Sequence, residues 1–295
     1  MRIILTGANG FLGKAIYQHF SSAEVIRLGR TEGEVIADLE HDLPALPPAD
    51  LVIHAAGKAH SVPRTAAEKE AFQEVNVAGT KRLLKALTQA DALPKYFVFI
   101  SSIAVYGLEK GALIDEQHPL AATDPYGRSK IDAETLVSAW CEENHVVCTI
   151  LRLPLLAGPN PPGNLQSMIN AIKKGYYFDV NVPHVKKSMV LIDDVAIFIE
   201  QVYPVGGIFN LTDGYHPSFR EISNLMSKQL HQKNAFVMPY AIIKVLAFVG
   251  DILGPKFPLN RKKLDKMTNT LTFSDEKARR SIGWQPRPVL ENFKI

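Results

Sequence analysis

A tyrosine and a lysine stand four residues apart in Tyr126-Gly127-Arg128-Ser129-Lys130. In a helix that spacing puts both on one face. A phenol titrates near ~10 in isolation. A neighbouring ammonium stabilises the phenolate and draws that value toward working pH. The pair is a proton-transfer device for a hydroxyl or a ketone. Ser101-Ser102, closing the apolar run that begins at Tyr96, offers a hydroxyl to the same oxygen. Taken alone, Y-x-x-x-K is often just a helix-surface pair. It gains meaning from the Ser-Ser strand end before it and from a glycine-rich loop at the start of the chain.

That loop is Gly7-Ala8-Asn9-Gly10-Phe11-Leu12-Gly13, directly after the apolar run Arg2–Leu5 and ahead of a helical stretch to about Phe20. Glycines at these positions let the backbone turn tightly and approach a pyrophosphate seated at the helix N-terminus. A glycine-rich turn with no ligand is the competing reading. At the end of the second strand an acid would hold the adenosine ribose of NAD, but the chain has Leu28-Gly29-Arg30. Arg30 suits a 2′-phosphate, which favours NADP over NAD, or it is an ordinary surface charge. Asp38 either meets an adenine amine or caps its own loop.

Positioning such groups takes alternating strands and helices. Apolar runs predict strands at Arg2–Leu5, Val25–Leu28, Glu34–Ala37, Leu51–His54, Tyr96–Ser101 and Val146–Leu151, with helical spacing over Ala66–Ala90 and Tyr126–Glu142. This alternation predicts an α/β fold, a doubly wound parallel sheet covered on both faces. After Pro154 the alternation breaks down, and Gly158–Gly163 reads as a domain border. The expected division is a dinucleotide-binding domain over 1–157, completed by segments returning near 186–211, and a smaller substrate-binding domain over 158–295. Ala235–Leu253 is apolar but interrupted by Pro239, Lys244 and Asp251. It is too short and too charged to span a bilayer, and helix packing or a subunit contact is preferred over docking at a membrane surface.

The 295 residues, 46% of them hydrophobic, exclude a disordered or disulfide-scaffold protein. Two cysteines without metal-ligand spacing predict no metal and a reducing cytoplasm; the N-terminus lacks a secretory signal pattern. The net charge of +3 hides an asymmetry: residues 1–150 hold 14 Lys+Arg against 19 Asp+Glu, and residues 151–295 hold 19 against 11. A basic second half suits an acidic ligand such as a diphosphate. Nucleic acid is disfavoured, because no basic run exceeds the three residues Arg261–Lys263.

The ordered motifs resemble the extended short-chain dehydrogenase/reductases of the nucleotide-sugar epimerase/dehydratase type. They are T-G-A-N-G-F-L-G (Thr6–Gly13), D-L (Asp38-Leu39), V-I-H-A-A-G (Val52–Gly57), N-V-A-G-T (Asn76–Thr80), S-S-I-A-V-Y-G (Ser101–Gly107), D-P-Y-G-R-S-K (Asp124–Lys130), L-R-L-P (Leu151–Pro154) and I-G-W-Q-P (Ile282–Pro286). The likeness is strong over 1–157 and patchy beyond. It implies a Rossmann-type sheet and a cofactor site drawn from Gly7, Asn9, Gly10, Phe11, Leu12, Gly13, Arg30, Asp38, Leu39, Ala55, Ala56, Gly57, Asn76, Tyr126, Lys130 and Leu153. It implies Tyr126 as acid/base, Lys130 on the nicotinamide ribose, and Ser102 rather than Ser101 as the active hydroxyl. Tyr106 is a candidate pocket residue or a core aromatic. A UDP-type nucleotide diphosphate sugar and a homodimer through the two middle helices are likewise family expectations.

Departures narrow the reading. Gly29 stands where hexose epimerases tend to carry an acid, Leu155 where they carry Asn, and Lys187 where they carry Arg. Lys187 and Arg261 are the substitutes chosen for diphosphate binding. Ile103-Ala104 follows the active hydroxyl, where dehydratases often place Asp-Glu, so dehydration is disfavoured. What remains is hydride exchange at sugar C4. A 4-keto-sugar reductase of surface-polysaccharide precursor synthesis is preferred to a UDP-hexose or N-acetylhexosamine 4-epimerase. A nonenzymatic dinucleotide-binding protein is the third reading.

Overall fold

The computed structural model describes residues 1–59, 63–180, 182, 184–254 and 260–295. The first half runs β1 (Arg2–Thr6), α1 (Phe11–His19), β2 (Glu24–Gly29), β3 (Val35–Ile36), β4 (Leu51–His54), α2 (Ala66–Gln73), α3 (Gly79–Thr88), β5 (Tyr96–Ser102), β6 (Gly111–Ile114), α4 (Pro125–Glu143) and β7 (Val147–Leu153). The second half adds β8 (Leu155–Ala157), α5 (Gly163–Lys173), β9 (Phe178–Val180), β10 (Met189–Leu191), α6 (Ile192–Val202), β11 (Gly207–Asn210) and α7 (Phe219–Gln229). It ends with β12 (Phe236–Met238), α8 (Tyr240–Leu253), α9 (Arg261–Thr268), β13 (Leu271–Phe273), α10 (Glu276–Ile282) and α11 (Val289–Asn292).

Seven strands form one sheet in the order β11-β7-β5-β4-β1-β2-β3, and every pairing in it is parallel. The apolar strand runs are explained by burial on both faces: Ile3, Ile4, Leu5, Leu51, Val52 and Ile53 are inaccessible to solvent. One core layer packs α1 and α6 residues such as Ile16 and Phe198 against Ile3, Leu5 and Ile53. The opposite layer packs Leu83, Leu87, Ala133 and Val137 of α3 and α4 against Ile4, Val52, Phe97 and Phe99. The architecture is the doubly wound, Rossmann-like one the alternation predicts. Strand order reverses at β1 and β4, so the ligand crevice of such a sheet lies at the C-terminal ends of those strands.

The second half is more irregular. Three two-stranded pairs, β10-β8, β12-β9 and β13-β6, lie outside the main sheet, and β11 returns to that sheet's edge beside β7. Trp284 of the I-G-W-Q-P motif is buried in the α1/α6 layer, its indole N–H donating to the Thr212 carbonyl at 3.0 Å. Among the described residues no helix is long and apolar enough to cross a membrane.

One expected element differs. Helical spacing over Ala66–Ala90 predicts a single helix, but α2 and α3 are separated by a π-helical turn, Glu74–Ala78. The wider turn brings Asn76 inward. Its side-chain amide donates to the Lys58 carbonyl and to Ser129 Oγ, and its oxygen accepts from the Lys58 N–H at 2.7 Å. Such turns are rare and cluster at functional sites.

Candidate active site

The phosphate loop is built by exclusion. Gly7 has φ +72°, and a Cβ there would lie 2.7 Å from the backbone nitrogen of Ala56. A Cβ on Gly13 would lie 1.9 Å from the Gly7 carbonyl oxygen. Both glycines are therefore required to bring β1, the β4 loop and α1 this close together. Gly10 caps α1 without a side-chain hydrogen bond, and the first turn holds no acid. The helix thus presents free N–H groups and the positive end of its dipole to an anion. Asn9 and Gly10 are exposed, Phe11 is half-buried, and Ala55, Ala56 and Gly57 stand half-buried to exposed after β4.

Not every residue assigned to the cofactor site reaches it by side chain. Leu12 and Leu153 are buried in the core, so only their backbones are available to a ligand. Leu39 packs against the core layer that holds Leu83 and Leu87 of α3, and a Cβ on Gly79 would lie 3.6 Å from its Cβ. All the polar atoms of the Asn76 side chain have partners within the protein, and through them it fixes the loop after β4. Asp38 Oδ1 accepts from the Glu40 N–H at 3.0 Å, which is the loop-capping arrangement. Arg30 has a side chain 72% exposed and lies 3.8 Å from Glu40.

The neighbouring Gly29 has a steric reason: a Cβ there would lie 2.4 Å from the Glu32 carbonyl oxygen. Sequence reading missed Glu32 itself. Its carboxylate sits 3.5 Å from the Asn9 amide, beside the phosphate loop.

The residues expected to transfer the proton come together at the ends of β5 and α4. Asp124 caps α4 by accepting the Gly127 N–H at 3.1 Å, and Pro125 opens the first turn. Tyr126 follows, half-buried, its hydroxyl in hydrogen-bond contact with Ser102. Ser102 Oγ also accepts the Ala104 N–H at 3.2 Å. Ser101 points the other way, donating to Glu134. Lys130 is buried one turn beyond Tyr126, donating to the Ile100 carbonyl at 2.8 Å and lying 4.7 Å above the Phe99 ring.

The expected direction of the tyrosine shift is overturned. Burial raises the Tyr126 phenol above its ordinary value, outweighing the Ser102 hydrogen bond that lowers it. Burial also lowers Lys130 to about 8, against the raising effect of Glu134. The resting pair is a neutral phenol beside a lysine that loses its charge above about pH 8.

Two supporting networks escaped the sequence. His54, buried at the end of β4, meets Thr6 Oγ1 at 2.7 Å through Nδ1 and Thr80 Oγ1 at 2.9 Å through Nε2. Thr80 donates to the Asn76 carbonyl, and Thr6 accepts the Ala56 N–H. These partners require the Nε2–H tautomer. Burial, and secondarily Lys130, holds the ring neutral by lowering its pKa to about 3. The second network is a buried ion pair in which Arg152 Nη2 lies 2.8 Å from Glu134 on α4. Arg152 Nη1 donates to the Tyr106 hydroxyl, which donates to Asn210 Oδ1 at 2.8 Å. Tyr106 is thus a fully buried member of this network and not a pocket residue. Only an arginine inside the largely apolar β7, and a glutamate four after Lys130, signalled the pair.

The two residues assigned to the diphosphate stand on different segments of the second half. The Lys187 ammonium lies 6.0 Å above the Phe219 ring, near a crevice lined by Tyr177, Asp179, Phe219, Arg220 and Met267. Arg261 pairs with Asp251 at 3.2 Å and covers the Phe248 ring, both on α8.

A family model described as NAD dependent epimerase/dehydratase family matches residues 3–202. The chain is 27% identical to a UDP-glucose 4-epimerase from Vibrio cholerae, over 99% of this chain and 93% of that protein. It is 25% identical to an N-acetyl-alpha-D-glucosaminyl-diphospho-ditrans,octacis-undecaprenol 4-epimerase from Escherichia coli O157:H7, over 95% and 89%. Among solved structures, RMD from Pseudomonas aeruginosa complexed with NADPH superposes with a TM-score of 0.72 at 21% identity, covering 99% of this chain and 96% of that one.

Proposed function

The chain belongs to the NAD dependent epimerase/dehydratase family, and from that premise we propose that it is a reductase acting with NADPH on the C4 ketone of a nucleotide-linked sugar. The dinucleotide is held by the open N-terminus of α1, by the Gly7–Gly13 loop and by Arg30, and it supplies the hydride. Tyr126 donates its proton to the oxygen that becomes the C4 hydroxyl. Ser102 hydrogen-bonds the same oxygen and orients it. Lys130 keeps a positive charge beneath the site below about pH 8. His54 and its threonines hold the β4 loop against the phosphate loop, and Glu134–Arg152 holds α4 against the sheet. The second half, with Lys187 near the Phe219 crevice, takes the UDP moiety. The observation that carries the direction is the exposed guanidinium of Arg30 beside a position where no carboxylate fits.

The test is the fate of reduced cofactor. With a UDP-4-keto-6-deoxyhexose, NADPH absorbance falls in step with product. The Arg30→Ala variant binds NADPH about tenfold more weakly, a change of about 1.4 kcal/mol, and binds NADH as before. Tightly held NAD with interconversion of UDP-hexoses and no net consumption of cofactor overturns this reading.

Glu32 favours a second reading. A carboxylate beside the phosphate loop suits the free ribose hydroxyls of NAD, and relatives matched over nearly the whole chain are 4-epimerases. On that reading Tyr126 first removes and then returns the C4 hydroxyl proton. The sugar then travels on UDP or, as in the Escherichia coli relative's name, on a polyprenyl diphosphate.

A further inference from the structure

Helix α8, YAIIKVLAFVGDIL, buries only the stripe Ile243, Ala247 and Gly250. That stripe packs on Leu264 of α9 and on Val180. A surface helix with one buried stripe ordinarily turns polar residues outward. This one turns out Ile242, Val245, Phe248, Val249, Ile252 and Leu253, with Val245 62% and Ile252 70% exposed. Phe236 on the preceding strand is itself 69% exposed. A contiguous patch of this kind marks an interaction site.

Charge selects the occupant. Residues 240–268 contain six Lys+Arg and two Asp+Glu, a net +4 inside a chain whose total is +3. A second copy docking on the same face would bring two such segments together at like charge. An anionic surface complements them. The helix is about 21 Å long at 1.5 Å per residue, too short to cross a hydrocarbon core of about 30 Å. An apolar helix followed in sequence by a basic run, here Lys256 and then Arg261-Lys262-Lys263 and Lys266, is the pattern of a segment that lies in the plane of a lipid headgroup layer.

We propose that α8 and α9 form a docking surface for an anionic phospholipid bilayer, with the exposed face of α8 entering the headgroup region. The proposal is independent of the direction of the C4 reaction, because its test contains no sugar.

The test is sedimentation of the full chain with phosphatidylcholine vesicles, with and without phosphatidylglycerol. The expected result is binding at least about tenfold stronger to the anionic vesicles and weakened by salt. The triple variant Ile242→Ser, Val245→Ser, Ile252→Ser loses that binding by about tenfold or more while its NADPH affinity, read by fluorescence, stays at the wild-type value. Three results overturn the proposal. One is equal or absent binding to the two vesicle types. Another is a triple variant that sediments like wild type. The third is a concentration-dependent dimer that the triple variant dissolves while wild type ignores vesicles, which would assign the face to a second copy.

Discussion

The crevice at the ends of β1, β4 and β5 and the outer face of α8 solve opposite problems. Around the crevice, polar groups are buried and paired: His54 between two threonines, Asn76 among Lys58 and Ser129, Arg152 against Glu134. On α8, apolar groups such as Ile242, Val245 and Ile252 are more than half exposed. A paired buried network fixes a geometry and tolerates little change. An unpaired apolar face fixes nothing within the chain and is adaptable. The contrast predicts that substitutions of similar size have very different consequences in the two places.

The largest effect is chemical. Tyr126→Phe removes one oxygen and the transferable proton, and kcat falls by about 10²–10⁴-fold with NADPH affinity little changed. Retention of activity would end the assignment of this crevice as the active site. Next is Arg152→Ala, which leaves the buried Glu134 carboxylate without its counter-charge. Denaturant unfolding would register a loss of about 3–5 kcal/mol. The double variant Glu134→Met/Arg152→Met recovers most of that loss, because no unpaired charge remains. It still alters kcat if the pair positions α4.

His54 gives a pH-dependent effect with a defined sign. Its folded pKa of about 3 lies below the unfolded value of 6.5, so the unfolded chain takes up the proton first as pH falls. The stabilisation is complete above pH 6.5 and is lost toward pH 3, by about 1.4 kcal/mol per pH unit. His54→Gln should flatten the acid limb of a stability-versus-pH curve by about one proton. The smallest effect is on α8: Val245→Ser shifts unfolding free energy by no more than about 0.5 kcal/mol. A loss of several kcal/mol there would show that the face is sealed by the chain itself, and the contrast would fail.

Legibility in the sequence followed the same division. The sheet strands were readable because double-sided burial demands unbroken apolar runs such as Ile3–Leu5 and Leu51–Ile53. Gly7 and Gly13 were readable because loop closure constrains residue type, and the shared helix face of Tyr126 and Lys130 because a spacing of four fixes it. The π-turn at Glu74–Ala78 was not, since a one-residue widening leaves helical periodicity nearly intact. Tyr106 was ambiguous because a phenol suits a pocket or a core equally, and only the positions of Arg152 and Asn210 decide. The direction of the Tyr126 shift was misjudged because sequence reveals a neighbouring lysine but not how deeply both groups are desolvated. The ion pair of Arg261 with Asp251 was not legible either, because the two residues are ten apart on different helices.

The crowding at Gly29 constrains how this enzyme could trade one dinucleotide for another. The single exchange of glycine for an acid is blocked, since even alanine would strike the Glu32 carbonyl at 2.4 Å. A lineage, or an engineer, would have to rebuild the whole turn between β2 and β3 or work through the exposed side chains of Arg30 and Glu32. On the proposed reading selectivity is lodged in two replaceable surface charges while the backbone beneath them is locked, so preference can drift by degrees without disturbing the fold that binds the dinucleotide.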